Sequence, residues 1–180
     1  METTRNTLPP HIQKFFADLK SFIGVPLYYY GSVQRPDFIP TKSDIDVDIF
    51  THNVDSMVGK LHHYLNRPLS KFHKTLMYLN KKVISGYKVF YKHVGDGDDD
   101  DNTFSAEFAI FNEVDKDAIL KEHLRKMDLP FYITFLLVLT KWCYYIYGIL
   151  DKKQYKMIKN TILSTFIGIE ATPYAILKNS

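Results

Sequence analysis

The residues best suited to chemistry are a Gly-Ser pair and two aspartates that follow it in the sequence. Gly31 and Ser32 come directly after an apolar run, and Asp44 and Asp46 follow after eleven intervening residues. Side chains two residues apart on a β-strand point to the same face, so the two carboxylates are expected to project together. Two neighbouring carboxylates repel each other unless a cation lies between them. The pattern therefore predicts a site for magnesium, which proteins usually hold through one or two carboxylates plus substrate phosphates.

The segment from Tyr30 to Asp48 resembles the signature of the nucleotidyltransferase superfamily with a polymerase-β-type palm. In that signature an apolar residue is followed by Gly and then by either Gly or Ser. A loop comes next, and after it the order acid, apolar, acid, apolar. Here Gly31-Ser32 and Asp44-Ile45-Asp46-Val47 occupy these positions. The residues of this segment most resemble those of catalytic domains of the poly(A) polymerase and terminal uridylyl transferase type. The resemblance implies a metal-dependent enzyme that moves a nucleoside monophosphate from an NTP to an acceptor hydroxyl and releases pyrophosphate.

The resemblance also implies a third carboxylate, on a later strand next to the aspartate pair. Glu107 is the candidate, because it lies within an alternating apolar segment at residues 104–111. Asp48 remains an alternative, since it shares a strand face with Asp44 and Asp46. By the resemblance, Asp44, Asp46 and Glu107 are predicted to be the catalytic residues and the metal ligands. The predicted cofactor is Mg²⁺, with Mn²⁺ as a substitute.

Four residues are predicted to bind the nucleotide, namely Gly31, Ser32, Ser43 and Lys141. Glycine lets the backbone approach a ligand closely, so Gly31 and Ser32 are expected to contact the terminal phosphates. Ser43 is expected to cap or orient the strand that carries the acids. The segment at residues 136–142 resembles a helix of poly(A)-polymerase-like enzymes, which implies that Lys141 contacts the β- and γ-phosphates. An ion pair with a nearby acid, or exposure to solvent, is the alternative for Lys141.

Hydrophobic periodicity predicts an α+β fold. Short apolar or alternating patterns typical of strands occur at residues 27–30, 45–50, 76–78, 87–94 and 104–111. Patterns with helical spacing occur at residues 9–23, 54–65, 115–127, 130–150 and 152–166. We therefore predict a mixed sheet with helices on one face over residues 1–112, which the resemblance identifies as a nucleotidyltransferase palm. Residues 113–180 are expected to form a helical module that packs on the palm and closes the nucleotide cleft.

Composition limits the class of protein further. The single Cys143 excludes an intramolecular disulfide and a cysteine-rich zinc site. The apolar segment at residues 131–150 is long enough for a membrane span, but Lys141 near its middle makes a buried helix the better prediction. The amino terminus lacks the apolar core of a signal sequence, so an intracellular, cytoplasmic protein is expected.

Negative charge is concentrated at residues 96–101, although the net charge of the chain is +3. Without this segment the rest of the chain is more basic, which suits an anionic partner such as a nucleotide or RNA. The acidic segment is predicted to be a solvated loop. Asp96, Asp98, Asp100 and Glu107 also have the spacing of a calcium-binding loop, but the glycine required at its sixth position is replaced by Asp101.

These patterns leave the acceptor open. The resemblance to poly(A) polymerases and the basic charge of the rest of the chain favour the 3′ end of a single-stranded RNA as the acceptor. Such an RNA would be extended without a template, as in polyadenylation. The short chain favours a protein or small-molecule acceptor, as in minimal nucleotidyltransferases. A non-catalytic scaffold or regulatory subunit with the same fold is a third alternative, although the intact aspartate pair argues against it. Nucleobase preference and oligomeric state are not indicated.

Overall fold

The computed structural model describes residues 1–40, 42–79, 81–94, 103–167 and 174–176. The helices are α1 (Pro10–Ile23), α2 (Val54–Leu65), α3 (Lys116–Arg125), α4 (Phe131–Tyr145) and α5 (Lys152–Ile167). The strands are β1 (Leu27–Tyr30), β2 (Ile45–Thr51), β3 (His73–Leu79), β4 (Lys82–His93), β5 (Phe104–Asn112) and β6 (Tyr174–Ile176). Short 3-10 turns occur at Gly31–Gln34, Leu69–Lys71 and Glu113–Asp115.

The strands form one mixed sheet in the order β1-β2-β5-β4-β3-β6. β2 and β5 are parallel, whereas the other neighbouring pairs are antiparallel. The predicted α+β class with a mixed sheet is therefore confirmed. The parallel pairing matters for the site, because it aligns the strand that carries the aspartates with the strand that carries Glu107.

Alternation along β2 divides its side chains between two cores. Ile45, Val47 and Ile49 face the larger core, in which α1 and α2 cover one side of the sheet. Fully burying one such aliphatic side chain stabilises the fold by about 1.5–3 kcal/mol, so this face holds the strand in register. The opposite face has a smaller core, where Phe50 packs with Ile119 of α3. The prediction of helices on one face thus describes α1 and α2, while α3 covers part of the other face, on which the aspartates lie.

The helices after β5 differ in length from their predicted segments. α4 follows Pro130 and ends at Tyr145, so it is shorter than the predicted helix at residues 130–150. α4 and α5 pack through Ile133, Leu137 and Ile162. In the part of the chain that the structure describes, no helix is long and apolar enough to cross a membrane.

Two further sequence interpretations concern the sheet edge and the acidic segment. The short strand β6, which pairs antiparallel with β3, was not predicted from the sequence. The acidic segment at residues 95–102, with its predicted loop and its calcium-loop alternative, lies outside the described residues.

Candidate active site

The residues predicted from the sequence to bind metal or nucleotide all line one cavity of about 370 Å³. These residues are Gly31, Ser32, Ser43, Asp44, Asp46, Glu107 and Lys141. The 3-10 turn after β1, the residues around the start of β2, β5 and α4 contribute them. The cavity is thus assembled from segments far apart in the sequence. The roles assigned to these residues stay predictions.

Asp46 lines the cavity and has a partner on both neighbouring strands. Tyr30 lies opposite it on β1, and Glu107 lies opposite it on β5. Gly31, the next residue after β1, has a φ of 69°, a conformation that favours glycine. A Cβ atom at Gly31 would lie only 2.0 Å from Asp46 Oδ2. Glycine is therefore required here both by its backbone conformation and by the approach of the carboxylate.

The environment of the cavity disfavours the ionised form of both aspartates. Burial and the neighbouring Glu107 carboxylate raise the pKa of Asp46 to about 6. The same two causes raise the pKa of Asp44. A carboxylate with a raised pKa is stabilised by any cation that approaches it. The pair therefore suits a divalent cation, and its oxygen atoms are the hard ligands that Mg²⁺ prefers.

The described residues supply only part of the ligands of a metal site. Among the described residues, no group of three or more His, Cys, Asp and Glu side chains is arranged so that it could hold a metal ion. Glu107, the predicted third ligand, instead accepts a hydrogen bond from Lys88 Nζ on β4. Asp44 and Asp46 still match the usual magnesium pattern, in which substrate phosphates complete the coordination. The residues present therefore fit a metal that binds together with a phosphate ligand.

Asp48, the alternative third carboxylate, lies outside the cavity lining. It is fully buried, and its Oδ2 atom is hydrogen-bonded to His123 Nε2 at 2.7 Å. The His123 ring in turn stacks on Tyr30, with 4.0 Å between the ring centroids. His123 therefore separates Asp48 from the cavity, and of the two candidates only Glu107 reaches it.

Lys141 is buried in an ion-paired cluster at the wall of the cavity. Its Nζ atom lies 3.1 Å from Asp37 Oδ2 and donates to the Asp37 carbonyl at 2.7 Å. Arg35 Nε donates to Asp37 Oδ1 at 2.7 Å, so one carboxylate serves two cations. Burial lowers the pKa of Lys141 to about 8, although Asp37 opposes this effect. The pairing with a nearby acid, which the sequence left as the alternative, is thus present.

Ser43 is the point at which this cluster meets the acid strand. Its Oγ atom accepts hydrogen bonds from Lys141 Nζ at 3.1 Å and from the Ile39 amide at 3.1 Å. The Ser43 amide donates to the Ile39 carbonyl at 2.8 Å. These contacts fix the backbone immediately before Asp44. Lys141 therefore ties α4 to the loop that leads into the acid strand.

We expect Asp37→Ala to destabilise the fold strongly. Burial alone would raise the pKa of Asp37, but Arg35 and Lys141 lower it below its ordinary value. Removing the carboxylate leaves two buried cations without their partner, a change that typically costs about 3–5 kcal/mol. Urea denaturation measures the free energy of unfolding. Asp18→Ala is the control, because it breaks only the exposed Lys14–Asp18 pair and should have little effect. Equal losses in the two variants would contradict the prediction.

We expect Asp46→Asn to stabilise the metal-free protein at neutral pH. The pKa of Asp46 in the folded protein, about 6, exceeds the ordinary value of an aspartate. The folded state therefore binds this proton more tightly, and the resulting stability is lost as the pH rises through about 6. At pH 7.5 the asparagine should add about 3 kcal/mol to the free energy of unfolding, and near pH 4 it should add almost nothing. Denaturation in a chelator-containing buffer at both pH values measures this, and a pH-independent difference would refute it.

Several cavity residues were not predicted from the sequence. They are Tyr30, Lys88, His123, Lys126, Tyr145, Tyr155 and Leu163. No pattern in the sequence around Lys88 predicts that it lines the cavity, because its position there depends on the pairing of β4 with β5. Tyr155 and Lys159 reach the cavity only because α5 packs against α4. Lys159 lowers the pKa values of both Asp44 and Asp46, against the larger effect of burial.

Comparison with known proteins gives structural similarities only. No family model and no curated protein matches the sequence. The structure is similar to that of Cid1 in complex with the UTP analog UMPNPP, with 14% identity, a TM-score of 0.41, and coverage of 74% of this chain and 40% of that chain. It is also similar to a cytoplasmic RNA terminal U-transferase, with 14% identity, a TM-score of 0.38, and coverage of 74% and 41%.

A third similar structure is the Cid1 poly(U) polymerase with Mg and 3′-dATP bound, with 13% identity, a TM-score of 0.34, and coverage of 76% of this chain and 43% of that chain. The chain thus spans about two fifths of the length of these solved structures.

Proposed function

We propose that this protein is a Mg²⁺-dependent nucleotidyltransferase that adds nucleoside monophosphates to a single-stranded RNA 3′ end without a template and releases pyrophosphate. One observation carries the proposal. Asp44 and Asp46, whose pKa values are raised, share a cavity with the glycine bend at Gly31. Paired carboxylates that attract a cation, next to a backbone that a phosphate can approach, suit phosphoryl transfer.

The chain's own residues would mainly position the reactants. Asp44 and Asp46 would hold the metal, and Gly31 and Ser32 would bind the terminal phosphates through backbone amides and a hydroxyl. Bound Mg²⁺ lowers the pKa of an attacking hydroxyl and stabilises the leaving pyrophosphate. Phosphoryl transfer depends largely on such positioning and charge neutralisation, so no covalent intermediate with a side chain is needed.

The cavity has the size and the charge for a nucleoside triphosphate. Its volume of about 370 Å³ lies in the range of small-molecule sites. Lys126, Lys141 and Lys159 line it from the helical part of the chain and would neutralise the triphosphate. Tyr145 and Tyr155 lie in the same wall and offer aromatic surfaces to a base. We therefore propose that residues 113–180 close the nucleotide cleft over a palm at residues 1–112.

The RNA acceptor is the more specific part of the proposal. It is supported by the poly(A)-polymerase-like motif and by the net charge of +3, which rises when the acidic segment at residues 96–101 is set aside. A protein acceptor or a small-molecule acceptor would use the same metal and phosphate contacts. A non-catalytic subunit would bind the nucleotide without transferring it.

A transfer assay separates these possibilities. The protein is incubated with Mg²⁺, a short single-stranded RNA and each of the four labelled NTPs. A ladder of extended RNA would support the proposal, and its dependence on the NTP would give the base preference. Label on the protein itself, or on a small molecule, would show that this molecule and not RNA is the acceptor. Nucleotide binding without any transfer would indicate a non-catalytic role and overturn the enzymatic proposal.

A further inference from the structure

We propose that Asn6 is a positioning residue that holds the turn at Gly31–Gln34 in the conformation that receives the phosphates of a nucleotide. Asn6 lies outside the cavity lining, so it would act through the turn and not by touching the ligand. This inference rests on the proposed function, because it assumes that Gly31 and Ser32 bind those phosphates.

The turn is too short to hold its conformation by itself. It is one 3-10 helix of four residues, and at its end the Arg35 amide donates to the Ser32 carbonyl at 2.9 Å. Helices of this type have poorer hydrogen-bond geometry than α-helices, and a single turn of helix fixes several residues for few bonds. The turn therefore depends on contacts from other parts of the chain.

Asn6 supplies such contacts through its side chain. Its Nδ2 atom donates to the Val33 carbonyl at 2.9 Å and to the Arg35 carbonyl at 2.8 Å. Two longer hydrogen bonds reach the same carbonyls, from the Asn6 amide to Val33 at 3.4 Å and from the Phe38 amide to Arg35 at 3.3 Å. The Asn6 carboxamide thus joins the turn to the residue that follows it.

Gln34 makes the reciprocal contacts, from the turn to the segment at residues 3–6. Its side chain is buried, and its Oε1 atom accepts a hydrogen bond from the Arg5 amide at 2.9 Å. Its Nε2 atom donates to the Thr3 carbonyl at 2.7 Å and to the Tyr29 carbonyl at 3.1 Å. Each segment therefore binds the backbone of the other through a carboxamide, so the junction fixes both.

The turn connects this junction to the cavity. Gly31, Ser32 and Arg35 line the cavity, whereas Asn6 and Gln34 lie behind them, outside the lining. A site that is already ordered binds its ligand more tightly, because binding does not have to order it. Loss of the Asn6 carboxamide should therefore weaken nucleotide binding by loosening the turn.

Hydrogen exchange and nucleotide binding of Asn6→Ala and Asn6→Asp test the inference without an activity measurement. Asn6→Asp keeps the size of the side chain but removes the Nδ2 donor, so it separates hydrogen bonding from packing. Without nucleotide, the amides at residues 31–35 should exchange about tenfold faster in both variants, because two hydrogen bonds are lost. Calorimetry with Mg²⁺ and non-hydrolysable analogues of the four NTPs should show an affinity about tenfold lower than that of wild type.

Gln13→Ala is the matched control. Gln13 Nε2 donates to the Leu8 carbonyl at 2.6 Å, so this variant loosens the same N-terminal part of the chain without removing a contact to the turn. Its exchange at residues 31–35 and its nucleotide affinity should be those of wild type. Changes as large as those of Asn6→Ala would show a general loss of stability and refute the positioning role.

The other outcomes separate this inference from the proposed function. Nucleotide affinity equal to that of wild type in both Asn6 variants, whether or not exchange at the turn becomes faster, would refute the role of Asn6 and leave the proposed function intact. A wild-type protein that binds none of the four analogues in the presence of Mg²⁺ would refute both proposals, because the cavity would then not receive a nucleotide.

Discussion

Replacing Asp44 and Asp46 together by alanine is expected to reduce nucleotidyl transfer by about a thousandfold or more. The two carboxylates lie in one cavity. Among the described residues that line it, Glu107 is the only other acid, and it accepts a hydrogen bond from Lys88. The variant therefore has no free carboxylate pair with which to hold the metal. The transfer assay with labelled NTP and RNA gives the rate directly.

The loss should not result from unfolding. Burial raises the pKa of Asp46 to about 6, so its ionised form does not stabilise the fold at neutral pH. The near-ultraviolet circular dichroism should therefore remain that of wild type, and the melting temperature should not fall below the wild-type value. Asp55→Ala/Asp117→Ala is the matched control, since both of these aspartates are exposed and lie outside the cavity. A double alanine variant at positions 44 and 46 with the wild-type rate would refute the metal assignment.

Gly31→Ala is expected to reduce transfer about a hundredfold and to destabilise the fold. The added Cβ would lie 2.0 Å from Asp46 Oδ2 and 3.0 Å from Asp46 Cγ, so the carboxylate must move. A displacement of about 1 Å of a catalytic group can cost about a hundredfold in rate. The positive φ of 69° adds backbone strain of about 1 kcal/mol. The rate and the free energy of unfolding are both measured.

Gly24→Ala separates the two effects. Gly24 has a similar φ of 75°, but a Cβ there meets no atom within 4 Å. It should therefore show the strain alone, with a normal transfer rate. In Gly31→Ala/Asp46→Ala the clash is removed, so stability should recover to about that of Gly24→Ala while transfer stays lost. A Gly31→Ala variant with the wild-type rate would mean that the position of the Asp46 carboxylate is not critical.

The acid pair was predictable because its determinants are local. Alternation along a strand places Ile45 and Val47 in the core and leaves Asp46 on the other face, as the burial of these residues shows. The bend at Gly31 was predictable for a similar reason, since glycine accepts a backbone conformation that other residues avoid. Both signals lie within a few residues of the atoms that they position.

Lys141 shows where local reasoning reached its limit. The sequence indicated a lysine in an apolar helix that needs an anionic partner, and it offered either a triphosphate or a nearby acid. The structure places Asp37 at 3.1 Å, more than a hundred positions earlier in the chain. Nothing near Asp37 in the sequence indicates α4, because the contact depends on how that helix packs beside the loop.

The sequence by itself thus determined the α+β class, the acid pair and the glycine bend, because strand alternation and turn conformation act over short stretches of chain. The tertiary structure decided which charges meet at the cavity. Strand pairing placed Lys88 on Glu107, and the packing of α3 placed His123 on Asp48. The physical reason is that ion pairs and hydrogen bonds depend on distance in space, which strand register and helix packing set between residues far apart in the chain.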